Sequence, residues 1–379
     1  MNNGLEQQRV SASHVMVVGC GALGNEVLKN LVLLGVEHLV VVDFDVVEVG
    51  NLSRSVFFSK ADAVAHRLKV EVIAERLRAM NPMLEIQTIC GDVAYDVGLS
   101  LIRRMDVVIG CVDNRWARYC INRLCMRASV PWVDGAIEEL EGTARVFIPG
   151  KNCYACNLGP EGLRDMAKRM SCTGVIRRHE QAGSAPTTSL MASVIGAVQV
   201  QEALKLVHQE ALEQGTFTSL CGKMFYYDGQ HLTTKLLDFQ AYDDDCAVHE
   251  SWTPIRPSEL SRQSSVSEAF RLLSQKLGAK SVTILLENDC FVDYVAERAN
   301  DCRTEVMCPG HAVEAFVEKA DALRGIPFSG LYQHEYREIS ADFPYGELTL
   351  AQLGIPSHDV LHIVADGQDY YFELNEQDY

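Results

Sequence analysis

The chain has 379 residues, 47% hydrophobic and 22% charged, enough for two or three domain cores. A net charge of −17 argues against non-specific nucleic-acid binding, which runs on basic patches. The polar start MNNGLEQQRV lacks a signal-peptide core, and the 13 cysteines then point to a reducing cytoplasm, as core residues, metal ligands or nucleophiles.

In chain order, the apolar run His14–Val18 leads into Gly19-Cys20-Gly21-Ala22-Leu23-Gly24, and a helical pattern follows through Val27, Leu28, Leu31 and Leu34. The run Leu39–Val42 then ends at Asp43, completing a βαβ unit of a doubly wound sheet. A helix is expected over Arg67–Met80, strands over Glu85–Ile89 and Asp106–Gly110, a helix over Arg115–Ala128 and a strand at Trp132–Val133. Such alternation predicts an α/β fold with a parallel-cored sheet. Residues 157–186 read as a long functional excursion. A helix follows over Thr187–His208; Gln199, Gln201, Glu202 and Lys205 interrupt it too often for a membrane span. Lys223–Tyr227 and Thr233–Asp238 form a hairpin turning at Asp228-Gly229.

Pro254, Pro257 and Ser258 mark a linker over 251–265. Beyond it, 266–379 should form a smaller α+β domain, with strands near Val282–Leu286, Val360–Val364 and Tyr370–Leu374 and a helix at Ala312–Leu323. From Ser251 onward 21 acidic residues face 10 basic ones, a net of −11, leaving −6 for the first 250. That charge either steers a basic partner or keeps the chain soluble.

Glycines 19, 21 and 24 let backbone approach a phosphate at a helix N-terminus, and Asp43 sits where a carboxylate meets ribose hydroxyls. Those features alone fit a nicotinamide-dependent dehydrogenase equally well. Asp45, Asn51, Arg54 and Lys69 tip the balance, because cations beyond the glycine loop suit a triphosphate. Asp113, beside Asn114 after an apolar strand, faces the ligand crevice and suits Mg²⁺. Each residue by itself also reads as a surface ion pair or a helix cap.

The ordered series GCGALG, DFD, NLSR, KVEVIAERL and GCVDN resembles the adenylation fold of ubiquitin-type activating enzymes and of the adenylyltransferases of molybdopterin and thiamine synthesis. The resemblance spans roughly Ser11 to Glu250, within an adenylation domain set at 1–250. It implies that ATP binds with Mg²⁺, that Asp43 meets the ribose, that Asn51, Arg54 and Lys69 contact phosphates, and that Asp113 holds the metal. The Arg54-to-Lys69 stretch is longer than in most relatives. The N-terminal helix that carries an arginine to a partner subunit is not evident, so either Arg9 substitutes or none is supplied. A homodimer is expected, with no membrane partner.

Cys153-Tyr154-Ala155-Cys156 and Cys246-Ala247-Val248-His249 together offer four N/S ligands for a tetrahedral structural Zn²⁺; a redox pair or two unrelated pairs are the alternatives. Cys290, Cys302, Cys308 and His311 are spaced too irregularly to favour a second site. Cys172, flanked by Lys168, Arg169, Arg177, Arg178 and His179, sits where cations favour a thiolate nucleophile. Cys172-Thr173 resembles the catalytic cysteine of NEDD8- and SUMO-type activating enzymes. In UFM-type enzymes, whose helix entry Ala185-Pro186-Thr187-Thr188 resembles, the nucleophile would align near Gln181. Residues 348–374 look like the end of a ubiquitin-fold domain that recruits a conjugating enzyme.

The function expected is adenylation of the C-terminal carboxylate of a ubiquitin-like protein, then thioester formation on Cys172 and hand-over to a conjugating enzyme. The alternatives are an adenylyltransferase of a sulfur-carrier protein in cofactor biosynthesis and a non-catalytic subunit of a heterodimer.

Overall fold

Four consecutive apolar residues, Val15 to Val18, make β1 (His14–Val18) a strand buried on both faces, as the centre of a parallel sheet requires. In the computed structural model, residues 5–159, 161, 162, 164, 187–239, 242–297, 302–324 and 331–376 are described. They fall into two compact units. One is built from the described residues within 5–94, 101–159 and 187–251, the other from those within 95–100, 161–164 and 252–376.

The first unit holds an eight-stranded sheet. Its strands are β1, β2 (His38–Val42), β3 (Glu85–Ile89), β4 (Val107–Gly110), β5 (Trp132–Glu138), β6 (Glu141–Phe147), β7 (Lys223–Asp228) and β8 (Thr233–Asp238), in the order β3-β2-β1-β4-β5-β6-β7-β8. Strands β3 to β5 run parallel, and β5 to β8 pair antiparallel. The expectation of a parallel core is therefore half of the answer. Strand β6 is the element that pattern reading misses, since EGTARVF is polar and small at its exposed end. Both of its faces nonetheless bury apolar side chains, Ala144 and Val146 on one and Phe147 on the other, and Phe147 stacks on Trp132 at 4.9 Å.

The helix Ala22–Leu33 packs against the long helix Ser189–Val207, which Thr188 caps through the Met191 N–H. By length and composition the long helix could cross a membrane, yet it lies against β4, β5 and β6 and buries Met191, Ile195, Val200 and Leu204. Each such side chain withdrawn from water contributes about 1.5–3 kcal/mol.

The second unit combines helices with two sheets. A five-stranded sheet follows the order β14-β10-β15-β16-β9, from β9 (Ile255–Pro257), β10 (Val282–Leu285), β14 (Glu338–Ile339), β15 (Val360–Ala365) and β16 (Gln368–Glu373). A second sheet, β12-β11-β13, is built from β11 (Phe291–Glu297), β12 (Arg303–Pro309) and β13 (Leu331–Tyr336). Helices cover Val266–Leu277 and Val313–Arg324. The stretch read as a linker is not all linker: Ile255–Pro257 pairs in parallel with β16. An edge position tolerates a proline there, because only one side of the strand needs donors.

Candidate nucleotide site and metal centre

The glycine loop follows β1, between the ends of β1 and β4, where the strand order changes direction and α/β sheets bind ligands. Gly19 has φ +99°, and a side chain on it would meet the Cys111 carbonyl oxygen at 2.5 Å. A Cβ on Gly24 would stand 1.9 Å from the Gly19 carbonyl oxygen. Neither position admits another residue. Gly21 faces open space and opens the Ala22–Leu33 helix without a side-chain cap, so free N–H groups and the positive end of the helix dipole meet there.

Asp43, just past β2, accepts from the Cys20 N–H at 2.6 Å through one oxygen and from the Asp45 N–H at 2.8 Å through the other. It thus staples the glycine loop to the end of β2. Each oxygen keeps a lone pair for a ribose hydroxyl. Burial raises the Asp43 pKa, although Lys69 and the two N–H donors act against it. Lys69 begins the helix Lys69–Met80 and donates to Asp45 at 2.6 Å. Burial alone would lower its pKa, but Asp43 and Asp45 more than compensate and it stays cationic. The Cys20 thiol is pushed well up by burial and then by Asp43.

Asn51 and Arg54 lie in the turn after β2. The Asn51 side chain accepts from the Glu48 N–H at 2.9 Å, and the Arg54 N–H donates to the Asn51 carbonyl at 3.1 Å. Among the described residues the Arg54 guanidinium, half-exposed, has no hydrogen-bond or ion-pair partner. Asn25 joins this turn to the glycine loop: its amide donates to the Cys20 and Gly21 carbonyls at 2.8 and 3.0 Å and accepts from the Phe57 N–H at 3.0 Å. Pattern reading passes over Asn25, although a polar residue on the apolar face of a helix is a visible signal.

Asp113 is exposed beyond β4, and among the described residues its side chain has only a 3.4 Å contact from Asn114. An open carboxylate at a strand's C-terminal end fits a magnesium ligand. Asn114 is accounted for locally: it caps the helix Arg115–Ala128 through the Ala117 N–H at 2.8 Å. Beneath this loop Gln199 donates to the Gly110 carbonyl at 2.9 Å and Arg118 to the Val112 carbonyl at 2.6 Å. Arg9 is tied within its own chain, to Glu6 at 3.1 Å and Glu210 at 3.0 Å.

The two metal-type pairs converge. The ligand atoms of Cys153, Cys156, Cys246 and His249 lie within 4.8 Å of one another. The sulfur of Cys153 is 3.7 Å from that of Cys156 and 3.8 Å from that of Cys246, and His249 Nε2 is 3.2 Å from the Cys156 sulfur. Tetrahedral Zn–S bonds of about 2.3 Å place two sulfurs about 3.8 Å apart. The donor set therefore fits a tetrahedral ion. The Cys246 thiol is drawn down to about 6, chiefly by its hydrogen bond with Cys153, toward the thiolate that metals take. Among the described residues no other such cluster forms: Cys290 is buried, Cys302 is exposed, and His311 pairs with Asp289 at 2.5 Å. Cys172, its cationic neighbours and Gln181 lie outside the described residues.

The ThiF family model matches residues 3–248. The SAMP-activating enzyme E1 of Haloferax volcanii is 33% identical over 243 residues, 64% of this chain and 82% of that protein. The adenylyltransferase and sulfurtransferase MOCS3 of Sus scrofa is 30% identical over 243 residues; the match spans about half of that relative, 49%. Among solved structures, E. coli MccB with ATP superposes with a TM-score of 0.51 at 20% identity, covering 64% of this chain and 68% of MccB, a likeness of fold.

Proposed function

The chain belongs to the ThiF family, and on that premise we propose that it adenylates the C-terminal carboxylate of a small protein of the ubiquitin-like or sulfur-carrier kind. The observation that carries this reading is the set of groups left open around the glycine loop: the bare Gly21 face, the Arg54 guanidinium with no partner among the described residues, and the exposed Asp113. A free α-carboxyl, with a pKa of about 3.5, is ionised at neutral pH and needs no general base. It attacks the α-phosphate of ATP, the bond to the bridging oxygen breaks, pyrophosphate departs and the acyl-adenylate remains.

The enzyme's part is positioning and charge stabilisation. The loop N–H groups cradle phosphate, Asp43 takes the ribose, and Asn51 and Arg54 contact phosphate oxygens. Lys69 reaches them by exchanging Asp45 for phosphate. Asp113 would hold Mg²⁺, which when bound offsets phosphate charge. Cys153, Cys156, Cys246 and His249 would hold a structural Zn²⁺.

For the fate of the adenylate, relatives named for both adenylyl and sulfur transfer favour a sulfur donor. A thioester on Cys172, passed to a conjugating enzyme, rests on the Cys172-Thr173 resemblance, and recruitment by the acidic second unit belongs to that route. A cytoplasmic homodimer completes the proposal.

The test is ATP–pyrophosphate exchange driven by candidate small proteins with free C-termini. Asp113→Ala should reduce exchange to background, and Cys172→Ala should leave it intact. A reductant-sensitive adduct on non-reducing gels, lost in Cys172→Ala, would select the thioester route. Full exchange by Asp113→Ala would overturn the site.

A further inference from the structure

Asp113 is the exposed tip of a loop whose backbone is fixed from below by a buried charged ladder. Arg118 is buried, and its guanidinium makes three contacts: Nε donates to Asp134 Oδ1 at 2.9 Å, and Nη2 donates to the Val112 carbonyl at 2.6 Å and the Gly135 carbonyl at 3.1 Å. Val112 immediately precedes Asp113. Asp134 is fully buried, and its other oxygen accepts from Arg145 Nε at 2.9 Å and also from Arg145 Nη2. The Arg145 guanidinium in turn lies over the ring of Tyr154, 5.2 Å from its centroid. Tyr154 stands between Cys153 and Cys156 of the metal centre, and its N–H is held by Asn122 at 3.0 Å.

We propose that Arg118 is the positioning residue that sets the Asp113 loop for its magnesium ion, and that the Cys/His centre braces it through Tyr154, Arg145 and Asp134. The planar fork explains the choice of arginine. A lysine keeps the charge but, as a point donor, does not span a carboxylate and two carbonyls held at fixed angles. Among the described residues no hydrogen bond or ion pair joins the ladder to Gly19–Gly24 or to Arg54, so its loss should fall mainly on the metal-dependent part of nucleotide binding. Partners of that outer kind change metal affinity by about 10–100-fold.

The inference rests on the reading of this site as one for ATP with Mg²⁺. The full chain is titrated with ATP by calorimetry, with and without Mg²⁺, and the gain in affinity due to Mg²⁺ is compared between variants. In Arg118→Lys that gain should fall about 10–100-fold while metal-free ATP affinity stays near wild type. Arg145→Lys, at the outer end of the ladder and one step further from Val112, should show a smaller loss of the same kind. An undiminished Mg²⁺ gain in both variants overturns the proposal. Equal losses with and without Mg²⁺ also overturn it, because that marks general damage. If wild type gains nothing from Mg²⁺, the reading of the nucleotide site falls, and the ladder's role with it.

Discussion

Carboxylates meet cations in both units, and some of these networks close while the one around the glycine loop does not. In the second unit, buried Asp293 takes His334 at 2.9 Å, Tyr345 at 3.2 Å and Tyr336 at 3.3 Å. His362 is held between Glu287 at 2.6 Å and Asp369 at 2.8 Å. Around the glycine loop the network stops short: Lys69 pairs with Asp45, while Arg54 and Asp113 are left without ion-pair partners among the described residues. A satisfied polar network fixes packing, whereas groups left open in a cleft await a ligand. The difference separates a structural cluster from a binding site without reference to residue type.

The Cys/His centre tests that division hardest, since it belongs to the open class if it holds a metal. Metal analysis should find about one zinc per chain, and chelation should lower unfolding free energy by several kcal/mol, because apparent zinc affinities in small domains reach about 10 kcal/mol. Protein purified without chelator and lacking metal would move the centre to the closed class. Two ions per chain would reopen Cys290, Cys302, Cys308 and His311.

A smaller effect probes the closed class. Burial pulls the His362 pKa down, but the Glu287 and Asp369 hydrogen bonds outweigh it and the folded value is raised. The stabilisation is therefore complete below the ordinary histidine pKa of about 6.5 and is lost as pH rises through the raised folded value. Unfolding followed through Trp252, which stacks on Tyr371 at 4.7 Å and tilts over His362 at 5.3 Å, should report a loss on the order of 1 kcal/mol toward alkaline pH. His362→Gln should flatten that dependence. A profile equally steep in the variant would assign it to other groups.

Much of the open site was legible, because it is written locally. Glycine spacing, a carboxylate ending a strand and paired CxxC and CxxH knuckles are short-range signals, even though the knuckles meet across 93 residues. What stayed hidden depends on distant partners. Arg118 is defined by Asp134, 16 residues away, and Gln199 by the Gly110 carbonyl, 89 away. Strand β6 hid behind Gly142, Thr143 and Arg145, whose places follow from pairing with β5 and β7 rather than from hydrophobic period. The sheet β12-β11-β13 escaped for a related reason: Phe291, Val292 and Asp293 are buried in succession, so no alternation marks the strand.

The central claim is that the open groups at the end of the parallel strands serve a triphosphate. Calorimetric titration of the purified full chain with ATP plus Mg²⁺, and separately with NAD, tests it most directly. Saturable ATP binding, weakened in Arg54→Ala and strengthened by Mg²⁺, with no response to NAD, is the predicted result. NAD binding with silence toward ATP would contradict the account.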